Sequence, residues 1–201
     1  RVTVTTPGMR NLYKRRYSER LENDIQVIEN GFDYPDFEHV IPRNGHITYP
    51  VKFLHAGLLD REDRDPLPFF HAVRIYKHHH PNAGKGMQID LIAPGDEGLY
   101  QREIDRLDLT DIVHIKSPLP YDEILQTMAD SDVLLLFQGK SCDLQIPAKL
   151  YEYLRIGKPV LALTTQQGET ARVIKANHAG SIVSIKDPNA IHQILEDWMA
   201  R

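Results

Sequence analysis

Two charged residues, Lys149 and Glu152, lie three positions apart near the start of a short segment with a helical pattern. Residues at that spacing share one face of a helix. The first amides of a helix are free and carry a partial positive charge, so this helix start and the Lys149 ammonium together suit a phosphate. The Glu152 carboxylate, one turn later, can accept two hydrogen bonds from a vicinal diol such as a ribose. The pair indicates a nucleotide site; the alternative is a solvated ion pair that only complements the helix dipole.

The surrounding segment, residues 145–164, predicts a loop, a short helix and a buried strand. Pro147 suits the first helical position, where no amide partner is lost. Gly157 can adopt the left-handed conformation that ends a helix. After Pro159, the apolar run Val160–Leu163 is typical of a buried parallel strand. The predicted helix therefore presents its first turn beside the end of a sheet.

The run from Pro147 to Leu163, Pro-Ala-Lys-Leu-Tyr-Glu-Tyr-Leu-Arg-Ile-Gly-Lys-Pro-Val-Leu-Ala-Leu, resembles the donor-binding segment of retaining glycosyltransferases of the two-domain B-type fold, as in family 4. The resemblance implies that the helix start holds the diphosphate of a nucleotide sugar such as a UDP-sugar, and that Glu152 holds its ribose. The residues of that helix start are Pro147, Ala148, Lys149 and Leu150.

Composition excludes several classes of protein. The chain has 201 residues, of which 41% are hydrophobic, so it can bury a substantial core. A net charge of -4 argues against a general nucleic-acid binder. The single cysteine, Cys142, excludes an internal disulfide and suits a reducing cytoplasm. The sequence has no apolar stretch of membrane-spanning length and no signal peptide, and its first residue is Arg, so we expect a cytoplasmic chain that begins inside a longer protein.

The pattern of elements predicts two parts. Residues 1–50 are expected to be the tail of an N-terminal acceptor domain and a linker, and residues 51–201 a nucleotide-sugar-binding domain. The run Ile28-Glu-Asn-Gly-Phe-Asp33 resembles the hinge of the family, which implies that most of the acceptor domain lies outside this sequence. The basic run Lys14-Arg15-Arg16 is either a solvated face or a peripheral contact with anionic lipid at the inner face of the membrane.

Strand and helix patterns alternate about six times from residue 51 onward. This predicts an α/β fold: a doubly wound, Rossmann-like parallel sheet with helices on both faces, preceded by a remnant of a second Rossmann-like domain. In the commonest strand order, 3-2-1-4-5-6, a crevice opens between strands one and four. That crevice would lie between the loop after Gly57 and the loop 138–148, which leads directly to Lys149 and Glu152.

The loop after the first strand offers further phosphate ligands. Gly57 allows a close approach of the backbone, and Arg61 and Arg64 would suit a diphosphate. A turn glycine with two solvated arginines is the alternative. The loop lacks the three-glycine fingerprint of dinucleotide sites, so a nicotinamide or flavin cofactor is disfavoured. The resemblance implies an arginine and a lysine in this loop, but the spacing differs here, which leaves the choice between Arg61 and Arg64 open.

Other positions carry over from the family through the resemblance alone. Gly95 and Ser117 align with loops that flank the base of the donor. The family commonly has a glutamate eight residues before the ribose-binding one, where it contacts the donor sugar; this sequence has Leu144 there, so the sugar cannot be named.

Two other patterns are not assigned to a site. Gly139-Lys140-Ser141 mimics the end of a P-loop, but that motif needs a glycine where Leu134 stands. His78-His-His80 can complement the dipole at a helix end; a metal site there would need a converging carboxylate or cysteine, and none is predicted. His55 and His114 lie in predicted strands and are expected to be satisfied core residues.

The sequence thus predicts the donor-binding half of a retaining, hexosyltransferase-like enzyme of carbohydrate biosynthesis. The acceptor hydroxyl would belong to a sugar, a lipid-linked glycan or a polysaccharide precursor. No cofactor, no metal and no catalytic residue is predicted within this chain, which on its own would bind donor without transferring sugar. The alternatives are a nucleotide-sugar epimerase of the same architecture and a non-catalytic nucleotide-binding module.

Overall fold

The computed structural model describes residues 1–17, 24–43 and 49–200. The strands are Val2–Val4 (β1), Ile25–Val27 (β2), Val51–Ala56 (β3), Met87–Ile92 (β4), Val113–Lys116 (β5), Val133–Phe137 (β6), Val160–Leu163 (β7) and Gly180–Val183 (β8). The helices are Pro7–Arg16 (α1), Leu67–His79 (α2), Ala83–Gly86 (α3), Glu97–Arg106 (α4), Tyr121–Asp130 (α5), Ala148–Ile156 (α6), Glu169–Ala176 (α7) and Pro188–Met199 (α8).

Strands β3 to β8 form one parallel sheet in the order β5-β4-β3-β6-β7-β8. Numbered from β3, this is the predicted order 3-2-1-4-5-6, so the predicted fold is confirmed. The chain moves outward from β3 through β4 to β5 and then returns to the other side of β3 at β6. The direction of the connections therefore reverses between β3 and β6, and ligands bind at such reversals in open α/β sheets.

Helices cover both faces of the sheet. Neighbouring residues of each strand point to opposite faces, so each strand contributes side chains to a core on both sides. Phe53 belongs to the core that β3 shares with α2, α4 and α8. Leu54 belongs to the core on the other face, with α5, α6 and α7. All five residues of β6 are buried. This explains why the central strand is apolar throughout rather than alternating.

The N-terminal strands form a separate small unit, in which α1 connects the parallel pair β1 and β2. Among the described residues, two hydrogen bonds join it to the loop before α6 and to the first residue of α7. The Thr6 hydroxyl donates to the Leu144 carbonyl at 2.5 Å, and the Gly8 amide donates to the Glu169 carboxylate at 2.6 Å. The division of the chain at residue 50 stays a prediction. The basic run Lys14-Arg15-Arg16 lies in the last turn of α1, where it complements the helix dipole.

Residues 32–43, expected as part of a polar linker, pack against α5 and α6. Phe37 is buried within a single 3₁₀ turn, Pro35–Phe37. The Arg155 guanidinium lies 5.9 Å from the ring centre of Phe32 and 5.6 Å from that of Phe37. Prolines and polar residues suggested a linker, but the two phenylalanines find an apolar surface on the domain. In the described part of the chain, no helix combines the length and hydrophobicity that a membrane crossing requires.

Candidate functional site

An open cleft of about 420 Å³ lies at the carboxyl ends of β3 and β4, between α5 and α6. Its walls differ in chemistry. One wall is apolar and is formed by Leu58, Ala93, Pro118 and Leu119. The other carries Arg64, Tyr121, Lys149 and Glu152. The cleft includes the Gly57 turn and the first turn of α6, as predicted. Its other lining residues come from the ends of β3 and β4, from the loops after β3, β4 and β5 and from α5, and none comes from the loop 138–147.

The Lys149 side chain crosses from α6 to the end of β3, where its ammonium donates a hydrogen bond to the Ala56 carbonyl at 2.5 Å. Among the ion pairs of the described residues, Lys149 makes none with Glu152, so the two are not the simple ion pair that the sequence left open. Burial and the positive charge of Arg64 lower the pKa of Lys149 to about 8, although Glu152 opposes the shift. The ammonium is therefore charged at pH 7 and incompletely neutralised, which suits an anionic ligand.

Gly57 makes room for that ammonium. Its φ is +108°, and a Cβ at this position would lie 2.9 Å from the Lys149 Nζ. Residues with a side chain rarely adopt this conformation, and the contact would also push the ammonium away from the Ala56 carbonyl. The backbone at Gly57 thus makes a close approach, as predicted. Its partner in the structure is the Lys149 ammonium, which faces the cleft, whereas the sequence suggested a diphosphate.

We expect Gly57→Ala to lower the free energy of unfolding by about 1–3 kcal/mol, the usual range for a strained backbone conformation. The matched control is Gly31→Ala, because a Cβ there meets nothing within 4 Å. Urea unfolding of both variants checks the prediction. Equal stability of the two variants would show that the Gly57 turn is not strained by a side chain.

The His55 side chain contacts the same turn at the Gly57 carbonyl. It is buried, with Nδ1 3.1 Å from the Leu135 carbonyl oxygen and Nε2 3.0 Å from that of Gly57. Burial and the nearby Lys149 lower the pKa of His55 to about 3, so the ring is neutral. His55 is a core residue as expected, but a neutral ring carries one N–H and can donate to only one of these two carbonyl oxygens. His114, in contrast, is only half-buried because β5 is an edge strand.

Glu152 lies beside Tyr121, whose hydroxyl donates a hydrogen bond to Oε1 of the carboxylate at 2.9 Å. Burial, that hydrogen bond and the charge of Glu152 raise the pKa of Tyr121 to about 12, so the hydroxyl keeps its proton. One carboxylate oxygen is thus oriented by a neighbour, and the carboxylate retains acceptor capacity towards the cleft. Tyr121 was not predicted as a site residue. The sequence indicates it only as an aromatic residue at the first position of the helix that follows β5.

The start of α6 differs slightly from the prediction. Pro147 is the residue before the first helical position, with ψ 138°. The Leu150 side chain is fully buried and its amide donates to the Pro147 carbonyl at 3.0 Å, which removes Leu150 from the predicted set of free amides. The amides of Ala148 and Lys149 have no hydrogen-bond partner among the described residues and lie at the positive end of the helix.

The structure distinguishes the two candidate arginines. Arg64 lines the cleft, held by an ion pair between its Nε and the Asp60 carboxylate at 2.6 Å. A short antiparallel bridge between Asp60 and Arg64 fixes the loop in that orientation. Arg61 is exposed and does not line the cleft. The sequence could not distinguish Arg61 from Arg64, because it does not reveal this bridge.

Gly95 and Ser117, the residues predicted to flank the base, are both exposed near the apolar wall. Gly95 has a φ of +99°, and a Cβ there would lie 3.3 Å from the Leu58 side chain. Neither residue lines the cleft, whereas Pro118 and Leu119, directly after Ser117, do. Leu58 and Leu119 are large, exposed apolar side chains that line the cleft, a surface on which a planar base can pack.

The fold is shared with solved glycosyltransferases. The sucrose-phosphate synthase of Thermosynechococcus elongatus matches 99% of this chain and 49% of its own, with 16% identity and a TM-score of 0.67. WaaG, a glycosyltransferase involved in lipopolysaccharide biosynthesis, matches 99% of this chain and 53% of its own, with 16% identity and a TM-score of 0.72. The pneumococcal O-GlcNAc transferase GtfA, in complex with UDP and GlcNAc, matches 98% and 36%, with 14% identity and a TM-score of 0.64.

These matches show that the chain has the Rossmann-like fold found in glycosyltransferases of the two-domain B type. The chain spans about half the length of the sucrose-phosphate synthase and WaaG chains. No protein-family model and no curated protein matches the sequence.

Proposed function

We propose that the cleft binds a nucleoside diphosphate sugar, and that the protein transfers the glycosyl group from this donor to an acceptor hydroxyl. The observation that carries the proposal is the convergence of Arg64, Lys149 and Glu152 on one cleft beside the topological switch point, next to the free amides at the start of α6. Solved structures of GtfA and of the S. aureus proteins MnaA and TarM contain UDP, and this chain shares their fold. This supports a UDP-sugar as donor.

Each part of the donor has a partner in the proposed complex. The diphosphate lies against the amides of Ala148 and Lys149, the Lys149 ammonium and the Arg64 guanidinium. The ribose hydroxyls donate hydrogen bonds to Glu152, and the base packs on the apolar wall that includes Leu58 and Leu119. A volume of about 420 Å³ is within the usual range of ligand pockets.

The chemical role of this domain is electrostatic. The bond from the anomeric carbon to the departing phosphate oxygen breaks, and the charge that develops on the diphosphate is stabilised by the helix amides, Lys149 and Arg64. We propose transfer of a hexosyl unit with retention of configuration and without a protein nucleophile from this domain. The acceptor would be held by an N-terminal acceptor domain of the same protein.

Calorimetric titration tests the proposal directly. The chain is titrated with UDP, GDP and ADP, and with pyrophosphate and uridine as partial ligands, in a buffer that contains a chelator. We expect saturable binding of one nucleoside diphosphate per chain with no divalent ion, because the cleft supplies its own cations. Pyrophosphate and uridine should each bind more weakly. No binding of any nucleoside diphosphate, or binding that chelation removes, would contradict the proposal.

The affinity should also depend on pH through Lys149. Its pKa is about 8, lowered by burial and by Arg64, and a bound diphosphate favours the protonated form. Binding above pH 8 therefore requires uptake of a proton, so the dissociation constant should rise by about tenfold between pH 7 and pH 9. The ionisation of the phosphates changes little across this range, since their last pKa is about 6 and they are about nine-tenths ionised already at pH 7. Titrations of the wild type and of Lys149→Met at both pH values check this, because the variant should show no such rise.

A further inference from the structure

Three side chains from two helices converge at the amino ends of the strands, on the opposite end of the sheet from the cleft. His79 lies at the end of α2, and His192 and Glu196 lie one turn apart on the same face of α8. The His192 Nε2 is 3.0 Å from the Glu196 Oε1, and the His79 Nδ1 is 3.8 Å from the same oxygen. All three potential ligand atoms lie within 4.8 Å of one another. This cluster supplies the converging carboxylate that the histidine run 78–80 lacked in the sequence.

We propose that His79, His192 and Glu196 bind a divalent transition-metal ion, for which Zn²⁺ is the best fit. Two imidazoles and one carboxylate are a ligand set that zinc uses, with a water molecule in the fourth position. Zinc bonds of about 2.0–2.1 Å in a tetrahedron place neighbouring ligand atoms about 3.3 Å apart. The two separations from Glu196, 3.0 and 3.8 Å, lie on either side of that value and the third is within 4.8 Å, so the side chains would rotate to close around the ion.

A metal ion would replace part of the hydrogen-bond network around Glu196. The His192 Nε2 lies 3.0 Å from Oε1, within hydrogen-bond distance, whereas the His79 Nδ1 lies 3.8 Å from the same oxygen, beyond that distance. His80 contacts both carboxylate oxygens, at 3.0 and 2.9 Å, and its ring stacks on Tyr76 with centres 4.4 Å apart.

The position of the cluster indicates a structural role. Helix α2 begins beyond the carboxyl end of β3 and runs back, so His79 in its last turn lies at the amino ends of the strands. Helix α8 returns in the same way after β8. The two helices already pack together through the core, where Val73 and Leu195 are buried. An ion held by both helices would fasten α8 to α2, far from the cleft, so it would not take part in glycosyl transfer.

The test is a titration of the chelator-treated and desalted chain with ZnCl₂ by calorimetry, and with CoCl₂ by visible absorption. We expect one ion per chain, a tetrahedral cobalt spectrum and a higher melting temperature with zinc. His79→Ala and Glu196→Gln should each weaken zinc binding by at least about tenfold, the lower bound for loss of even an outer-shell partner. Both variants should fold, since His79 is 53% exposed and glutamine keeps the shape of Glu196.

His78→Ala is the matched control, because this exposed neighbour in the same histidine run is not among the three converging residues. It should leave zinc affinity unchanged. Three results would overturn the proposal: no stoichiometric binding by the wild type, unchanged affinity in Glu196→Gln, or an equal loss in His78→Ala, which would indicate adventitious binding to the histidine run. The affinity for UDP should be the same with and without zinc, so failure of this proposal leaves the donor site untouched.

Discussion

We expect Lys149→Met to raise the dissociation constant for a ribonucleoside diphosphate by about 10- to 100-fold. Hydrogen bonds to a charged group contribute about 1.5–3 kcal/mol, and about 1.4 kcal/mol corresponds to a factor of ten. Methionine keeps an unbranched stem of similar length while it removes the ammonium that lies at the end of β3. The free helix amides and Arg64 remain, so residual binding should be detectable.

The matched control for this variant is Lys140→Met. Lys140 is an exposed lysine in the loop before α6 and belongs to the P-loop-like run Gly139-Lys140-Ser141. The Ser141 hydroxyl of that run donates a hydrogen bond to the Asp63 carboxylate, so it is engaged within the protein. Calorimetry should show wild-type affinity for Lys140→Met, and melting temperatures should show that both variants are folded. Affinity of Lys149→Met within twofold of the wild type would remove Lys149 from the proposed site.

The second large effect is expected for Glu152→Gln. If the carboxylate accepts hydrogen bonds from both ribose hydroxyls, the loss of its charge and of one acceptor should weaken binding by about tenfold or more. The loss should be smaller for a 2′-deoxyribonucleoside diphosphate, which lacks one of the two donors. The measurement is a double cycle by calorimetry: wild type and variant, each with UDP and with its 2′-deoxy form.

Tyr121→Phe is the control for a structural role of Glu152. It removes the hydroxyl that donates to the carboxylate but leaves the carboxylate in place. In the proposed complex Glu152 still contacts the ribose of this variant, so Tyr121→Phe should change the affinities for UDP and its 2′-deoxy form by the same factor. If Glu152 acted only through Tyr121 or the helix, both variants would lose affinity equally for the two ligands. A coupling indistinguishable from zero in Glu152→Gln would therefore exclude the ribose contact.

Much of the fold follows from local patterns in the sequence. The six strands of the main sheet were predicted because each is an apolar run separated from the next by a helical period, and the strand order followed from the commonest topology. Helix α3 was missed because its four residues, with two glycines, are too few to show a period. The packing of Phe37 on the domain was missed because a buried residue in a loop leaves no periodic signal.

The candidate site was predictable in position but not in its contacts. Lys149 and Glu152 could be placed at a helix start beside the switch point, whereas the hydrogen bonds to Ala56 and from Tyr121 depend on side-chain directions. The choice of Arg64 over Arg61 likewise depends on one bridge within a loop. The convergence of His79 with Glu196 joins residues more than one hundred positions apart, so only the packing of α2 on α8 reveals it.

Amide hydrogen exchange of the chain with and without saturating UDP locates the nucleotide most directly. We expect slower exchange in residues 56–64 and 148–152, because the diphosphate would cover the Gly57 turn and the free amides at the start of α6. A second hollow of about 580 Å³, which includes residues 177–181, lies at the amino ends of β7 and β8 and should be unaffected. Protection confined to residues 177–181, with unchanged exchange at 56–64 and 148–152, would show that the nucleotide binds outside the cleft.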